Sequence, residues 1–121
     1  MASGEVTVTR SVASPSAAPA GQVIPAAEAR NLAQMFQLFA DATRTRILYA
    51  LLDSGELCVN DIAAALEVTE TSVSHALRLL RIAGVVKNRR AGRLIFYSLD
   101  DEHIKLLLSM SREHLAHRFD G

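Results

Sequence analysis

The chain has 121 residues, one cysteine and no net charge, its 13 lysines and arginines balancing 13 aspartates and glutamates. That length suits one domain, and a single cysteine excludes an intramolecular disulfide and fits a reducing compartment. No apolar run reaches the roughly 20 residues of a membrane helix, and no charged stretch precedes an apolar one at the amino terminus, so neither a membrane anchor nor a secretory signal is expected.

In chain order, Met1 to about Pro25 is rich in Ala, Ser, Val, Thr and Pro without helical period and is expected to be a mobile tail, with residues 26–121 forming the domain. A first helix is expected over Ala26–Phe39, with Leu32, Met35, Phe36 and Phe39 as its stripe. Two phenylalanines on a short terminal helix exceed the needs of a small core, so this helix is expected in a dimer interface with the last one. Asp41 should cap a second helix, about Ala42 to Asp53, with Ile47, Leu48, Leu51 and Leu52 inward and Ser54-Gly55 ending it.

Leu57–Leu66 reads as a third helix, with Val59, Ile62, Ala63 and Leu66 apolar, and Glu67-Val68-Thr69 as a turn. A fourth helix follows over Glu70–Ala83, with Val73, Ala76, Leu77, Leu80 and Ile82 inside or near it. Two short helices joined by so few residues describe a helix-turn-helix. Gly84 stops the second of them, and Val85–Arg90 and Leu94–Leu99 read as strands of a hairpin turning at Ala91-Gly92. The class is mainly α with a small β-hairpin: a winged helix-turn-helix, expected to be homodimeric.

Charge is zero overall but unevenly spread. Thr71 to Leu99 holds no acidic residue, yet Arg78, Arg81, Lys87, Arg89, Arg90 and Arg93 all fall there. Such a patch is the footprint of a phosphate-binding face, although a basic run balanced by neighbouring acids is also an ordinary solvated face.

Asp100–His117 reads as one last helix, with Asp100 as its cap and Leu106, Leu107, Met110 and Leu115 as its stripe. It carries three of the four histidines. His114 and His117 are three apart and share a face; Asp101 and His103 stand at its start. His103 and His114 are 11 residues apart, which at about 1.5 Å per residue is roughly 16 Å. Zinc–nitrogen bonds are about 2.0–2.1 Å long, so one helix cannot bring both ends to one ion. An antiparallel second copy can: Asp101 and His103 of one chain would meet His114 and His117 of the other, giving two sites per dimer with three nitrogens and one oxygen each. An isolated HxxH pair is usually a solvated face; the four-residue pattern is more specific.

The chain resembles the ArsR/SmtB family of metal-sensing bacterial repressors, most closely its zinc-sensing members. The residues that carry the resemblance are Phe39-Ala40-Asp41-Ala42-Thr43-Arg44, Glu56-Leu57-Cys58-Val59-Asn60-Asp61-Ile62-Ala63, Ser72-Val73-Ser74-His75-Ala76-Leu77-Arg78-Leu79-Leu80-Arg81 and Arg93-Leu94-Ile95-Phe96-Tyr97-Ser98-Leu99-Asp100-Asp101. The resemblance implies a winged-helix homodimer, operator binding by the fourth helix and wing, and release when metal binds. Asp101, His103, His114 and His117 fall on the four ligand positions of the family's site on the last helix. The family's other common site uses a Cys-x-Cys pair; here Cys58 is followed by Val59 and Asn60 and the tail has no cysteine, which argues against a lead, cadmium or arsenite sensor. Where the family often has Gln after the helix-four histidine, this chain has Ala76.

On double-stranded DNA, Thr71, Ser72, Ser74 and His75 would reach base edges and phosphates from the start of the recognition helix. Arg78 and Arg81 are placed for phosphate, and Arg89, Arg90 and Arg93 belong to the wing. A two-fold dimer implies a roughly palindromic operator. Three imidazoles and a carboxylate favour zinc, with cobalt as its surrogate, and four protein ligands close the shell, leaving no open catalytic position. The expected function is therefore a zinc-released repressor of the cytoplasm, not an enzyme, with no small organic substrate. Its rivals are a metal-independent winged-helix regulator and a redox sensor built on Cys58.

Overall fold

A computed structural model describes residues 23–120. The expected tail therefore lies outside the described residues up to position 22. Contacts divide the chain into two units, Met1–Ala33 and Gln34–Gly121. The first helix, α1 (Ala26–Phe39), runs over the residues expected of it and buries no side chain. In the first unit Val23 and Ile24 are exposed.

The second unit continues with α2 (Ala42–Ser54), β1 (Leu57–Cys58), α3 (Val59–Leu66), α4 (Glu70–Ile82), β2 (Val86–Ala91), β3 (Leu94–Leu99) and α5 (Glu102–Asp120). Asp41 caps α2 as expected, its carboxylate accepting the Arg44 N–H at 2.9 Å. Two further bonds tie α2 to the end of α1: Arg44 Nε donates to the Leu38 carbonyl at 2.9 Å, and Thr45 Oγ1 donates to the Phe39 carbonyl at 2.7 Å.

Helical spacing places the core. Ile47, Leu48 and Leu51 come from α2, Ile62, Ala63 and Leu66 from α3, and Val73, Ala76, Leu77 and Leu80 from α4, closed by Val85, Val86, Leu99 and Leu108. Fully burying such a side chain stabilises by about 1.5–3 kcal/mol. Ile82, expected inside or near this set, is 71 % exposed; it lies two residues past Leu80, on the far side of the helix.

The turn between α3 and α4 takes a left-handed residue, Glu67 at φ 59°, and the Val68 N–H closes the end of α3 on the Ala63 carbonyl at 3.1 Å. Thr69 then caps α4, its hydroxyl accepting the Ser72 N–H at 3.0 Å. At the far end Gly84, at φ 77°, makes the sharp exit that the sequence assigns to it.

The sheet has three antiparallel strands in the order β1-β3-β2. Leu57 and Cys58 depart from expectation: instead of starting the third helix they pair with Tyr97 and Phe96. The hairpin turns at Gly92-Arg93, one residue later than the sequence suggests, with Ala91 pairing Leu94. Gly92 has φ 64° and no other wing residue has positive φ, the pattern of a tight turn with glycine first.

Candidate metal centre and nucleic-acid interface

Because Val73, Ala76, Leu77 and Leu80 take one side of α4 into the core, Thr71, Ser72, Ser74, His75, Arg78 and Arg81 are left exposed on the other. The cap at Thr69 fixes where that polar face begins. The helix start directs free N–H groups and a positive dipole end outward, which favours an anion.

The wing arginines are not equivalent. Successive residues of a strand point to opposite faces, so Arg89 and Arg90 diverge. Arg89 forks onto Glu56, Nε to Oε2 at 2.7 Å and Nη2 to Oε1 at 2.8 Å, with its guanidinium 5.0 Å from the Phe96 ring centre. The hydrogen bond from Arg89 holds the Glu56 carboxyl below its usual range, and Glu56 in turn raises Arg89. Among the described residues Arg78, Arg81, Arg90 and Arg93 make no ion pair, so these four cations are available to a polyanion.

On α5 the cap is Asp101, one residue later than expected: its Oδ1 accepts the Ile104 N–H at 3.0 Å. That bond is the main cause that holds the Asp101 carboxyl below its ordinary value, with His103 adding a smaller effect. The second oxygen, Oδ2, stands 3.7 Å from His103 Nδ1, and the imidazole is almost wholly exposed. At the other end His114 and His117 line one shallow groove with Met110 and Glu113. Glu113 was missed by sequence reasoning, although an acid four residues before His117 is a helical neighbour of it. Within one chain, among the described residues, no three His, Cys, Asp or Glu side chains converge on a metal position. The structure thus brings Asp101 to His103 and His114 to His117, but leaves the two pairs apart on one continuous helix.

The expected stripe of α5 divides between two faces. Ile104, Leu107 and Leu108 turn toward the body of their own chain, whereas Leu106, Met110 and Leu115 are 52–58 % exposed. Tyr49 Oη donates to the Leu108 carbonyl at 2.8 Å, and Arg112 pairs with Asp53 at 3.2 Å while lying 5.0 Å over the Tyr49 ring. These contacts hold α5 to α2 and leave the face with His103, Leu106, Met110, His114 and His117 outward. Phe36 is also exposed, edge-on to Phe39, beside an apolar cavity of α1, α2 and α5 lined by Thr45, Leu48, Tyr49, Leu107 and Leu108.

Cys58 is 5 % exposed, with Sγ 3.2 Å from both Asn60 Oδ1 and Asp61 Oδ2. Burial shields this thiol from large oxidants. No helix among the described residues is long and apolar enough to cross a membrane.

Residues 41–88 match the family model described as bacterial regulatory protein, arsR family. The chain is 44 % identical over 84 residues to a cadmium resistance transcriptional regulatory protein, a CadC homolog, of Staphylococcus aureus, covering 69 % of each. It is 44 % identical over 94 residues to a transcriptional repressor, an SmtB homolog, of Synechocystis, covering 78 % of this chain and 70 % of the relative. Among solved structures it is similar to a homodimeric winged helix-turn-helix DNA-binding domain from Mycobacterium bovis, a possible ArsR-family transcriptional regulator, with TM-score 0.68 and 30 % identity over 76 % of this chain and 88 % of that one. These relatives are transcriptional regulators rather than enzymes.

Proposed function

The chain belongs to the arsR family of bacterial regulatory proteins, and from that membership we propose that it is a metal-responsive transcriptional repressor: a homodimer that binds a roughly palindromic operator and leaves it when zinc, or cobalt as its surrogate, binds between the C-terminal helices. The observation that carries this reading is the layout of α5. One continuous helix bears a carboxylate–imidazole pair at its start and an imidazole pair near its end, with exposed Leu106 and Met110 between them. Neither pair alone closes a tetrahedral shell. Two copies of α5 laid antiparallel cover each other's apolar face and complete both sites. The Mycobacterium bovis relative is homodimeric, which supports two copies acting together.

The donor set fits the ion. Asp101 caps the helix with Oδ1 and turns Oδ2 toward His103, and His103, His114 and His117 supply three borderline nitrogens, a combination suited to zinc. When bound, zinc supplies a closed cross-link between the chains, with no position left for catalysis. The rest is performed by the protein. Operator half-sites lie about 34 Å apart or a multiple of it, so the two α4 helices must match that spacing. A dimer whose α5 helices are joined through His114 and His117 of one chain and Asp101 and His103 of the other prefers one spacing. Where the operator needs another, linkage weakens both bindings by the same factor, and moving a mostly bound repressor to mostly free takes about 5.5 kcal/mol of differential affinity.

Facing DNA, Thr71, Ser72, Ser74 and His75 would meet base edges and phosphates, and Arg78, Arg81, Arg90 and Arg93 the backbone. Both the DNA-binding and the sensing parts lie in residues 26–121, and an operator as partner places the protein in the cytoplasm. The test of the shared site mixes a His103→Ala chain with a His114→Ala chain. In the heterodimer both losses fall in one site, so one intact site with tight zinc binding is expected; no recovery over either homodimer overturns the inter-chain site.

A further inference from the structure

Arg89 looks like one more wing cation, but its surroundings give it a different task. In the order β1-β3-β2, Arg89 is on one outer strand and Glu56 immediately precedes the other. Neighbouring strands are about 4.8 Å apart, so the side chain of Arg89 has to cross the central strand to reach Glu56. It does so over Phe96, its cross-strand partner, and ends in a two-point fork on the carboxylate. A fork of this kind fixes direction as well as distance. β1 is only two residues long, so few ladder bonds hold the far edge of the sheet to the hairpin. Arg90, the next residue, leaves the opposite face and makes no ion pair among the described residues.

We propose that Arg89, Phe96 and Glu56 form a strap across the sheet that sets the pitch of the wing, so that Arg89 is a positioning residue for DNA binding and not a phosphate contact. The proposal rests on the DNA-binding reading above, but the strap itself can be read without DNA.

The alternatives differ in sign and slope. A phosphate contact by Arg89 would be opposed by Glu56, which draws its charge away, so Glu56→Gln would tighten binding. A strap is lost equally from either end. On a duplex selected from a random-sequence pool by the wild-type dimer, Glu56→Gln and Arg89→Ala should each weaken binding roughly two- to fivefold, the scale of an exposed ion pair. The double variant should be no weaker than the weaker single one. The dependence of affinity on salt should keep its slope in both, whereas Arg90→Ala should flatten it by about 0.9. Arg89→Lys should behave as Arg89→Ala, because an ammonium cannot make the fork; as a phosphate contact it would bind nearly as wild type. Without DNA, amide hydrogen exchange at Arg90–Leu94 should quicken in Glu56→Gln and Arg89→Ala with the melting temperature little changed. A flattened slope in Arg89→Ala, tighter binding by Glu56→Gln, or unaltered exchange at the wing tip overturns the strap. A wild-type dimer that selects no duplex overturns the DNA-binding reading instead, and the exchange experiment still decides the strap.

Discussion

Asp101 divides its two oxygens between two tasks. Oδ1 closes the first turn of α5 on the Ile104 N–H, and Oδ2 faces His103. The substitution that separates the tasks is Asp101→Asn. Asn and Asp cap helices about equally, so the melting temperature should hardly move, while zinc affinity should fall by more than the roughly 10–100-fold that loss of an outer partner of a metal ligand causes. Asp101→Ala should lose both, adding about 1 kcal/mol of lost stability; calorimetry and a zinc titration read the two separately, and equal zinc affinity in Asp101→Asn and wild type would remove Asp101 from the ligand set. The ligand candidates were legible because donor spacing on a helix is arithmetic. The cap was not, since Asp100 and Asp101 are chemically identical neighbours and only the backbone decides which one caps the helix. Arg89 and Arg90 are the same case: one residue of register sends one to Glu56 and the other outward.

At the scale of elements, α4 has two faces, with Val73, Ala76, Leu77 and Leu80 in the core and the residues proposed to meet DNA outside. Leu77 has no exposed surface, so Leu77→Ala should cost about 2–5 kcal/mol, read as a lower urea midpoint. Ile82→Ala, at 71 % exposure, should change stability by about 0.5 kcal/mol or less; a similar loss in both would mean that α4 is rotated from the placement described above. Helix limits and the two-helix motif were readable from period and caps. The strand at Leu57-Cys58 was not, because its partners Tyr97 and Phe96 lie about forty residues on, and pairing over that distance leaves no local period. The two faces of α5 were merged for a related reason: Leu106, Leu107, Leu108 and Met110 surround much of the helix, and only the position of α2, through Tyr49 and Arg112, decides which of them turn inward.

For the whole molecule, one chain presents two unpartnered surfaces: a basic face on α4 and the wing, and an apolar, histidine-bearing face on α5. In the proposed dimer a second copy would complete the latter, and the geometry of the pair would govern the former. Coupling between them is reciprocal, so an operator that weakens zinc must be weakened by zinc to the same extent. The direct measurement is the affinity of the dimer for its selected duplex, once with a chelator and once with saturating zinc, at one fixed salt concentration because phosphate contacts make affinity steeply salt-dependent. Tight binding with chelator and a loss of about 10⁴-fold with saturating zinc are expected, the differential affinity that moves a mostly bound repressor to mostly free, and His117→Ala should remove that loss. Affinity that zinc leaves unchanged, or tightens, would contradict release by zinc.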